Sequence, residues 1–184
     1  EVAGKGNASF RLTMYFFDLL QKAGMETHFI SAGPEPNTMI VKRARSFGLE
    51  VVCREKAWGS FVRRYGQYVE QGTSLPSLVE FTLKDDERGD PLITEDALVA
   101  LKIVTPEEIK FMKETAKKAT AILKDHLAEK GLELIDIKYE FGEVDGKTMI
   151  IDEISGDGMR VVRNGELLLQ KELAAAILGQ GWDK

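Results

Sequence analysis

Apolar and polar residues alternate most regularly between positions 134 and 141, and this pattern predicts a β-strand. Asp136, Lys138 and Glu140 fall on one side of the strand, and apolar residues fall on the other. Successive side chains of a strand point to opposite faces of a sheet. The apolar side is therefore expected to pack on a core, and the charged side is left free to bind a ligand or water.

A hairpin is expected to follow this strand. Asp145-Gly146 is typical of a two-residue turn of type I′, which requires positive φ at both central positions. Apolar residues at 149–151 then predict a return strand, which ends close to three further carboxylates. These are Asp152, Glu153 and Asp157.

The register of the hairpin is open in the sequence. A strict two-residue turn pairs Lys138 with Glu153 and puts Asp152 on the opposite face from Glu140. A bulge or a longer loop reverses this arrangement, because a slip of one residue moves every side chain to the other face. The hairpin alone does not decide whether Asp152 and Glu140 meet.

Short strands and amphipathic helices are predicted over the rest of the chain. Helices are expected over residues 7–24, 61–65, 94–101, 105–131 and 166–178. Strands are expected over residues 27–31, 38–42, 49–53, 79–83 and 159–162. Thr105-Pro106-Glu107-Glu108 is the clearest helix start, because it combines an N-cap threonine, a proline at the first helical position and the glutamate of a capping box. The short strands do not form a repeated βαβ pattern, which indicates an α+β fold.

Composition narrows the classes of function. The 184 residues carry a net charge of -5, which argues against general nucleic-acid binding. No apolar run approaches the roughly 20 residues of a membrane helix, and no cationic leader is present, so we expect a cytoplasmic protein. Cys53 is the single cysteine, and His28 and His126 lie far apart. A zinc site or a Cys/His nucleophile is therefore disfavoured, and carboxylates, Lys and Arg remain as candidate catalytic groups.

The clustered carboxylates have two interpretations. Neighbouring carboxylates repel one another unless they share a cation, and Mg²⁺ commonly takes one or two protein carboxylates together with substrate phosphates. The charged face is then a magnesium site at which Lys138 neutralises a phosphate or a substrate carboxylate. The alternative is a solvated surface hairpin without a ligand.

A basic block indicates an anionic partner. Its members are Lys42, Arg43, Arg45, Arg54, Lys56, Arg63 and Arg64. Guanidinium groups suit phosphates, and Gly59-Ser60 at the start of a predicted short helix adds backbone N–H groups and a hydroxyl. We infer a phosphorylated small molecule, with solvated surface charge and an RNA-facing patch as alternatives. The acidic loop 84–91 is interpreted either as solvent-exposed or as a lip that binds a metal or an amino group.

Several separated motifs carry a resemblance to a known family. They are Leu49-Glu50-Val51-Val52-Cys53-Arg54, Gly59-Ser60, Lys84-Asp85-Asp86, Gly89-Asp90-Pro91, Asp136-Ile137-Lys138-Tyr139-Glu140-Phe141-Gly142 and Asp152-Glu153-Ile154-Ser155-Gly156-Asp157. In this order, and over nearly the whole chain, they resemble the SAICAR synthetase (phosphoribosylaminoimidazole-succinocarboxamide synthase) family. The chain departs from the family pattern at Gly48, Trp58 and Gly156, and the family's later Asp-Lys-Asp is only echoed by Gln170-Lys171-Glu172.

The resemblance implies a two-lobe SAICAR synthase-like fold, ATP-grasp- or kinase-like, with antiparallel sheets flanked by helices. Residues 1–46 would be the remainder of a nucleotide-binding lobe, and residues 47–184 the larger substrate-binding and catalytic lobe with a C-terminal helix. Family members begin with a β-rich lobe that carries a Gly-Lys-x-Lys segment, and this sequence enters after that region. We therefore expect an N-terminally incomplete chain with impaired ATP binding.

The resemblance also implies a reaction. An ATP-dependent ligase of purine biosynthesis would join L-aspartate to the carboxylate of carboxyaminoimidazole ribotide through an acyl phosphate, using ATP and Mg²⁺ and releasing ADP and phosphate. Two alternatives remain, an ATP-dependent phosphotransferase with another acceptor and a non-catalytic ribotide-binding fragment. Nucleic acid and membrane are not expected as partners, and association into a homo-oligomer is left open.

Residue roles follow from the same resemblance. Lys138 would contact the reacting carboxylate or phosphoryl group, and Asp136 would orient it. Glu140 and Asp152 would hold Mg²⁺ and belong to the nucleotide site. The other nucleotide-binding residues would be Lys42, Ala44, Ser46 and Glu50, with 42–46 as the adenine hinge. The substrate-binding residues would be Arg54, Ser60, Asp85, Asp86, Asp90, Asp157 and Arg160.

Overall fold

The computed structural model describes residues 4–183, which form a six-stranded antiparallel sheet, a separate two-stranded sheet and several helices. The helices are α1 (Lys5–Lys22), α2 (Ser60–Tyr65), α3 (Glu95–Ala100), α4 (Pro106–Glu129) and α5 (Gln170–Leu178), with a short 3₁₀ turn at Asp86–Arg88. The strands are β1 (Phe29–Ala32), β2 (Met39–Val41), β3 (Arg45–Lys56), β4 (Ser74–Leu83), β5 (Glu133–Val144), β6 (Lys147–Ile151), β7 (Met159–Arg163) and β8 (Glu166–Leu167). The α+β prediction agrees with this architecture.

Strand β5 lies at the centre of the large sheet. The strand order is β4-β3-β5-β7-β8, and β6 pairs with β5 as the return strand of the predicted hairpin. Ile137, Tyr139 and Phe141 of β5 are each 1% exposed and belong to the core under α4. Burial of such side chains stabilises a fold by about 1.5–3 kcal/mol each. The Tyr139 hydroxyl lies 3.0 Å from the Thr120 hydroxyl of α4, so its polar atom is also satisfied.

The start of α4 confirms the predicted capping box. The Thr105 hydroxyl accepts a hydrogen bond of 3.1 Å from the Glu108 N–H. The Glu108 carboxylate accepts one of 2.7 Å from the Thr105 N–H, and Pro106 occupies the first helical turn. These bonds satisfy N–H groups that a helix start leaves without partners inside the helix.

The C-terminal region corrects one prediction. The helix expected over 166–178 begins only at Gln170, because Glu166 and Leu167 pair with β7 as strand β8. Asn164-Gly165 makes the connection, with φ of 52° and 82° at the two residues. A tight turn of this kind favours a hairpin over the first turn of a helix.

The first part of the chain contributes the small sheet. Strands β1 and β2 pair antiparallel with each other, and β3 begins directly afterwards in the large sheet. The boundary expected between residues 46 and 47 falls inside β3, and the division into two lobes stays a prediction. No helix within residues 4–183 has the length and apolar character needed to cross a membrane.

Candidate active site

A cleft of about 340 Å³ lies on the face of the sheet opposite α4. Its lining comes mainly from β3, β5, β7 and the start of α2, because the polar positions of these alternating strands all face this side. The site residues expected from the sequence that line it are Glu50, Arg54, Ser60, Asp90, Asp136, Lys138, Asp157 and Arg160.

Asp136 joins two arginines from the neighbouring strands. It pairs with Arg54 of β3 on one side and with Arg160 of β7 on the other. Its Oδ2 accepts hydrogen bonds from Arg54 Nη1 at 2.8 Å and from Arg160 Nη1 at 2.6 Å. Burial raises the pKa of Asp136, while the charges and hydrogen bonds of Arg160 and Arg54 oppose that rise. Asp136 therefore fixes the direction of both guanidinium groups.

Arg54 is 3% exposed and donates to two further side chains of the protein. Its Nε donates to Glu80 at 2.8 Å and its Nη2 to the Ser60 hydroxyl at 3.0 Å. Arg64 also binds Glu80, at 2.7 Å. Arg54 thus connects the start of α2 to the sheet, whereas Arg160, with 35% of its side chain exposed, still offers N–H groups to a ligand in the cleft.

Gly59 allows Arg160 to lie against the start of α2. Its backbone has φ 53° and ψ -122°, a conformation that side chains strongly disfavour. A Cβ atom at this position would lie 2.6 Å from Arg160 Nη2. Glycine is therefore required here both for the backbone conformation and for the approach of the guanidinium group.

Lys138 and Glu50 form an ion pair deeper along the cleft. Lys138 Nζ lies 2.5 Å from Glu50 Oε1, and the Thr82 hydroxyl donates to Glu50 Oε2 at 3.1 Å. Partial burial by itself would lower the pKa of Lys138, but the hydrogen bond and charge of Glu50 raise it above its ordinary value. The ammonium group stays charged, and 43% of the Lys138 side chain is exposed to the cleft.

Glu50 and Glu140 lie directly opposite each other on β3 and β5, which would be unfavourable for two like charges. Each is instead paired with a lysine. Glu50 binds Lys138, and Glu140 binds the amino group of Lys84 at the end of β4. Since each buried carboxylate has a lysine ammonium group beside it, this part of the sheet carries alternating charge.

Asp152 reaches Glu140 despite the register of the hairpin. The turn is the strict two-residue one, with Val144 paired to Lys147 and Glu140 to Ile151. By strand alternation Asp152 would face away, but its φ of 65° ends the extended conformation after β6. Burial raises the pKa of Glu140, Lys84 lowers it, and the charge and hydrogen bond of Asp152 raise it further. Asp152 and Lys84 therefore both lie close enough to Glu140 to shift its pKa.

The Glu140 and Asp152 pair is the part of the structure that fits a magnesium ion. No cluster of three or more His, Cys, Asp or Glu side chains with metal-binding geometry occurs within residues 4–183. Two carboxylates are sufficient for Mg²⁺ when phosphate oxygens and water complete the coordination. The donor set here suits an ion that arrives with a nucleotide.

Other predicted site residues lie outside the cleft lining. Of the acidic loop, Gly89 and Asp90 line the cleft, whereas Asp85 caps the 3₁₀ turn and binds Arg88 Nε at 2.7 Å. Asp86 lies within that turn. The proposed hinge residues are Lys42 and Ala44, between β2 and β3, and Ser46, within β3.

The basic block is split by the fold. Arg54, Arg63 and Arg64 line the cleft. Arg45 and Lys56, at the two ends of β3, bind Glu143 and Glu133 instead.

Sequence reasoning missed several residues of the site. Glu80 and Thr82 occupy the cleft-facing positions of β4, and Lys84 follows at its end. The alternation over 79–83 contained the signal, because both polar residues fall on one side of that strand. Their partners, Arg54 and Glu50, lie on the neighbouring strand and only the strand pairing brings them together.

The fold and cleft define a class of protein. The cleft brings together arginines, carboxylates and a charged lysine, as expected for an enzyme that binds phosphorylated substrates, and the Glu140 and Asp152 pair lies outside its lining. The SAICAR synthetase family model matches residues 1–173. The chain belongs to the SAICAR synthetase family.

Individual relatives agree with the family match. The chain is 48% identical over 179 residues to the phosphoribosylaminoimidazole-succinocarboxamide synthase of Clostridium tetani, covering 95% of this chain and 79% of that protein. It is 45% identical over 168 residues to the enzyme of the same name from Thermotoga petrophila, covering 90% and 72%. These matches confirm the predicted family and the prediction of an enzyme.

Solved structures give the same result for the fold. A SAICAR synthetase in complex with ADP superposes with a TM-score of 0.89 at 34% identity, covering 96% of this chain and 82% of that chain. The SAICAR synthetase from Pyrococcus horikoshii OT3 gives a TM-score of 0.88 at 35% identity, covering 96% and 84%. The predicted fold class is confirmed.

Proposed function

We propose that this chain binds ATP and Mg²⁺ and joins L-aspartate to the carboxylate of carboxyaminoimidazole ribotide, with release of ADP and phosphate. Membership of the SAICAR synthetase family and the names of its relatives support the reaction. The observation that carries the assignment to this cleft is the adjacency of two charged groups on β5. Asp136 holds two arginines, and two positions further on Lys138 presents a charged amine.

The chemistry explains why the cleft needs charged groups and why the reaction requires no covalent bond to a protein nucleophile. A carboxylate is a poor acyl donor, so its oxygen first attacks the γ-phosphorus of ATP and ADP departs. The aspartate amine then attacks the acyl carbon, loses a proton, and phosphate leaves with the former carboxylate oxygen. Each step needs positioning and neutralisation of negative charge more than covalent help from the protein.

The ribotide phosphate is assigned to the arginine end of the cleft. Arg160 has N–H groups free to donate there, and Ser60 supplies a hydroxyl at the start of α2. Arg54 is already bound to Asp136 and Glu80, so its role is to hold Ser60 and to contribute positive charge. Bidentate guanidinium groups suit phosphate oxygens.

Lys138 is assigned to the reacting carboxylate and the phosphoryl group that it receives. Glu50 holds its amino group in place, and the elevated pKa keeps the charge at neutral pH. A fixed positive charge at the developing negative charge is the most effective kind of electrostatic catalysis.

Glu140 and Asp152 would hold Mg²⁺, which supplies charge neutralisation to the phosphates of ATP. Lys84 keeps Glu140 paired in the absence of the ion. Lys42, Ala44 and Ser46 would contact the adenine. Asp90 lines the cleft and would receive the amine of L-aspartate.

An omission assay tests the function. ADP release is measured with Mg²⁺-ATP, carboxyaminoimidazole ribotide and L-aspartate, and each component is left out in turn. Release that requires all of them supports the ligase. Release without aspartate favours a phosphotransferase with another acceptor, and ribotide binding without ADP release under any condition favours a binding fragment.

Gly59→Ala is expected to raise the KM for the ribotide by about tenfold or more, because the added Cβ displaces the Arg160 guanidinium from its position. Steady-state kinetics of ADP release against ribotide concentration measure the effect. Gly72→Ala is the matched control, since Gly72 also has a positive φ, of 87°, but a Cβ added there would meet no atom beyond its chain neighbours within 4 Å. Equal changes in KM for both variants would contradict the role of Arg160.

Asp152→Asn is expected to raise the Mg²⁺ concentration for half-maximal ADP release by about tenfold or more, because the site loses half of its carboxylate charge. Titration of Mg²⁺ at saturating ATP measures it. Asp145→Asn is the control, because Asp145 lies in the turn of the same hairpin and also has a positive φ, of 49°. A Mg²⁺ dependence that is the same in both variants would argue against the metal site.

A further inference from the structure

We propose that His28 is a positioning residue for the magnesium site, because its ring holds the backbone of Asp152 in the conformation that places the Asp152 carboxylate against Glu140. The inference rests on the proposed function, since it takes Glu140 and Asp152 as the metal-binding pair. It assigns a role to a buried histidine that lies outside the cleft lining.

The conformation of Asp152 requires an explanation. Its φ of 65° lies in the left-handed region, which is unfavourable for most residues with a side chain, although Asp and Asn adopt it more often than the others. Residues in such conformations persist only where surrounding contacts hold them. Without this backbone turn, the strict register of β5 and β6 would direct the Asp152 side chain to the face away from Glu140.

The His28 ring makes a contact with Asp152 itself. His28 Nε2 lies 3.1 Å from the Asp152 carbonyl oxygen. A carbonyl oxygen only accepts hydrogen bonds, so Nε2 carries the proton and donates. The bond fixes the peptide group that follows Asp152, and with it the backbone conformation of that residue.

The position of the ring is itself well determined. The His28 N–H donates to the Ile150 carbonyl at 3.1 Å, and the His28 carbonyl accepts from the Lys42 N–H at 2.7 Å. The ring packs edge-on against Phe17, with 5.6 Å between centroids, and His28 is 6% exposed. A side chain anchored in this way can transmit position to Asp152.

Residues before and after Asp152 are also held by contacts with other parts of the chain. His28 binds Ile150 through its backbone, and the Ser9 hydroxyl of α1 donates to the Glu153 carboxylate. These contacts secure the chain before and after Asp152. Among these contacts, the hydrogen bond from the His28 ring is the one made to Asp152 itself.

The test uses Mn²⁺ binding as a readout that does not depend on turnover. His28→Phe keeps an aromatic ring against Phe17 but removes the donor. We expect it to weaken Mn²⁺ binding in the presence of ADP, measured by electron paramagnetic resonance, by about tenfold, as loss of an orienting contact to a metal ligand does. The KM for the ribotide is expected to stay within about twofold of the parent, because the arginine end of the cleft is untouched.

Two further variants separate positioning from packing. His28→Gln retains a side-chain N–H donor and is expected to recover part of the Mn²⁺ affinity. His126→Phe is the matched control, because His126 Nε2 also makes one hydrogen bond, at 2.6 Å to the Tyr15 hydroxyl, but between α1 and α4. If His28→Phe does not fold, His28→Asn takes its place, since its shorter side chain does not reach the carbonyl.

The outcomes distinguish a failure of the His28 role from a failure of the metal site itself. Mn²⁺ affinity that is unchanged in a folded His28 variant, with a lowered melting temperature as its only defect, overturns the role of His28. Asp152→Asn is measured in the same experiment. If Asp152→Asn also leaves Mn²⁺ affinity unchanged, the metal site of the proposed function fails; if it alone weakens binding, only the role of His28 fails.

Discussion

Lys138→Met is expected to lower kcat for ADP release by about a hundredfold or more while the fold stays intact. The side chain is held by Glu50 at 2.5 Å and its elevated pKa keeps it charged. Methionine has a similar length and apolar stem but places no charge beside the reacting groups. The loss is expected in kcat more than in the KM for the ribotide, because the charge acts where negative charge develops.

Lys124→Met is the matched control for this variant. Lys124 pairs with the buried Glu55 at 2.6 Å, and its side chain is 51% exposed, against 43% for Lys138. Glu55 and Lys124 lie away from the cleft, so Lys124→Met removes a similar ion pair without touching the site. Near-normal turnover in Lys138→Met, or an equal loss in both variants, would rule out the proposed role of Lys138.

The charged face of β5 shows what the sequence could predict. Alternation alone put Asp136, Lys138 and Glu140 on one face, and the structure confirms both that face and the buried opposite side. Local signals were sufficient here, because a strand periodicity is a property of consecutive residues. The same reasoning succeeded for the start of α4 at Thr105, where capping needs only nearby side chains.

The partners of that face could not be predicted in the same way. Thr82 reaches Glu50 through the pairing of β4 with β3, and Lys84, which follows β4, reaches across β3 to Glu140 of β5. Both contacts join residues far apart in the chain. The direction of Asp152 is changed by a positive φ, and its carbonyl oxygen accepts a hydrogen bond from a histidine 124 residues away. Contacts of this kind are set by the tertiary fold, and pattern rules describe only its local elements.

Arg54 shows how the same residues serve both stability and the site. It binds Asp136, Glu80 and Ser60 and packs over the Phe61 ring at 5.7 Å. A ligand-binding cleft needs carboxylates and guanidinium groups that stay in place when the cleft is empty. Mutual ion pairing satisfies their charges before the substrate arrives, at the cost of making the fold depend on each partner.

Arg54→Met is accordingly expected to lower the free energy of unfolding by about 3 kcal/mol, the low end of the range for breaking a buried ion pair. The value is at the low end because Asp136 keeps Arg160 and Glu80 keeps Arg64 as remaining partners. Chemical denaturation monitored by circular dichroism measures the loss. The KM for the ribotide is expected to rise as well, since Ser60 loses the donor that holds its hydroxyl.

Two further variants test whether the stability loss in Arg54→Met comes from the buried charge. Arg45→Met is the matched control, because Arg45 lies on the same strand, binds Glu143 at 2.6 Å and packs over Phe47 at 5.6 Å, but its side chain is 67% exposed. We expect that variant to keep the stability of the parent. The double variant Arg54→Met with Asp136→Asn is expected to lose less stability than the two single variants together, by about 1–3 kcal/mol in the free energy of unfolding. The reason is that the amide introduced by Asp136→Asn leaves no buried charge without a partner. Simple additivity, or an equal loss in Arg45→Met, would show that Arg54 stabilises the fold through packing and not through its charge.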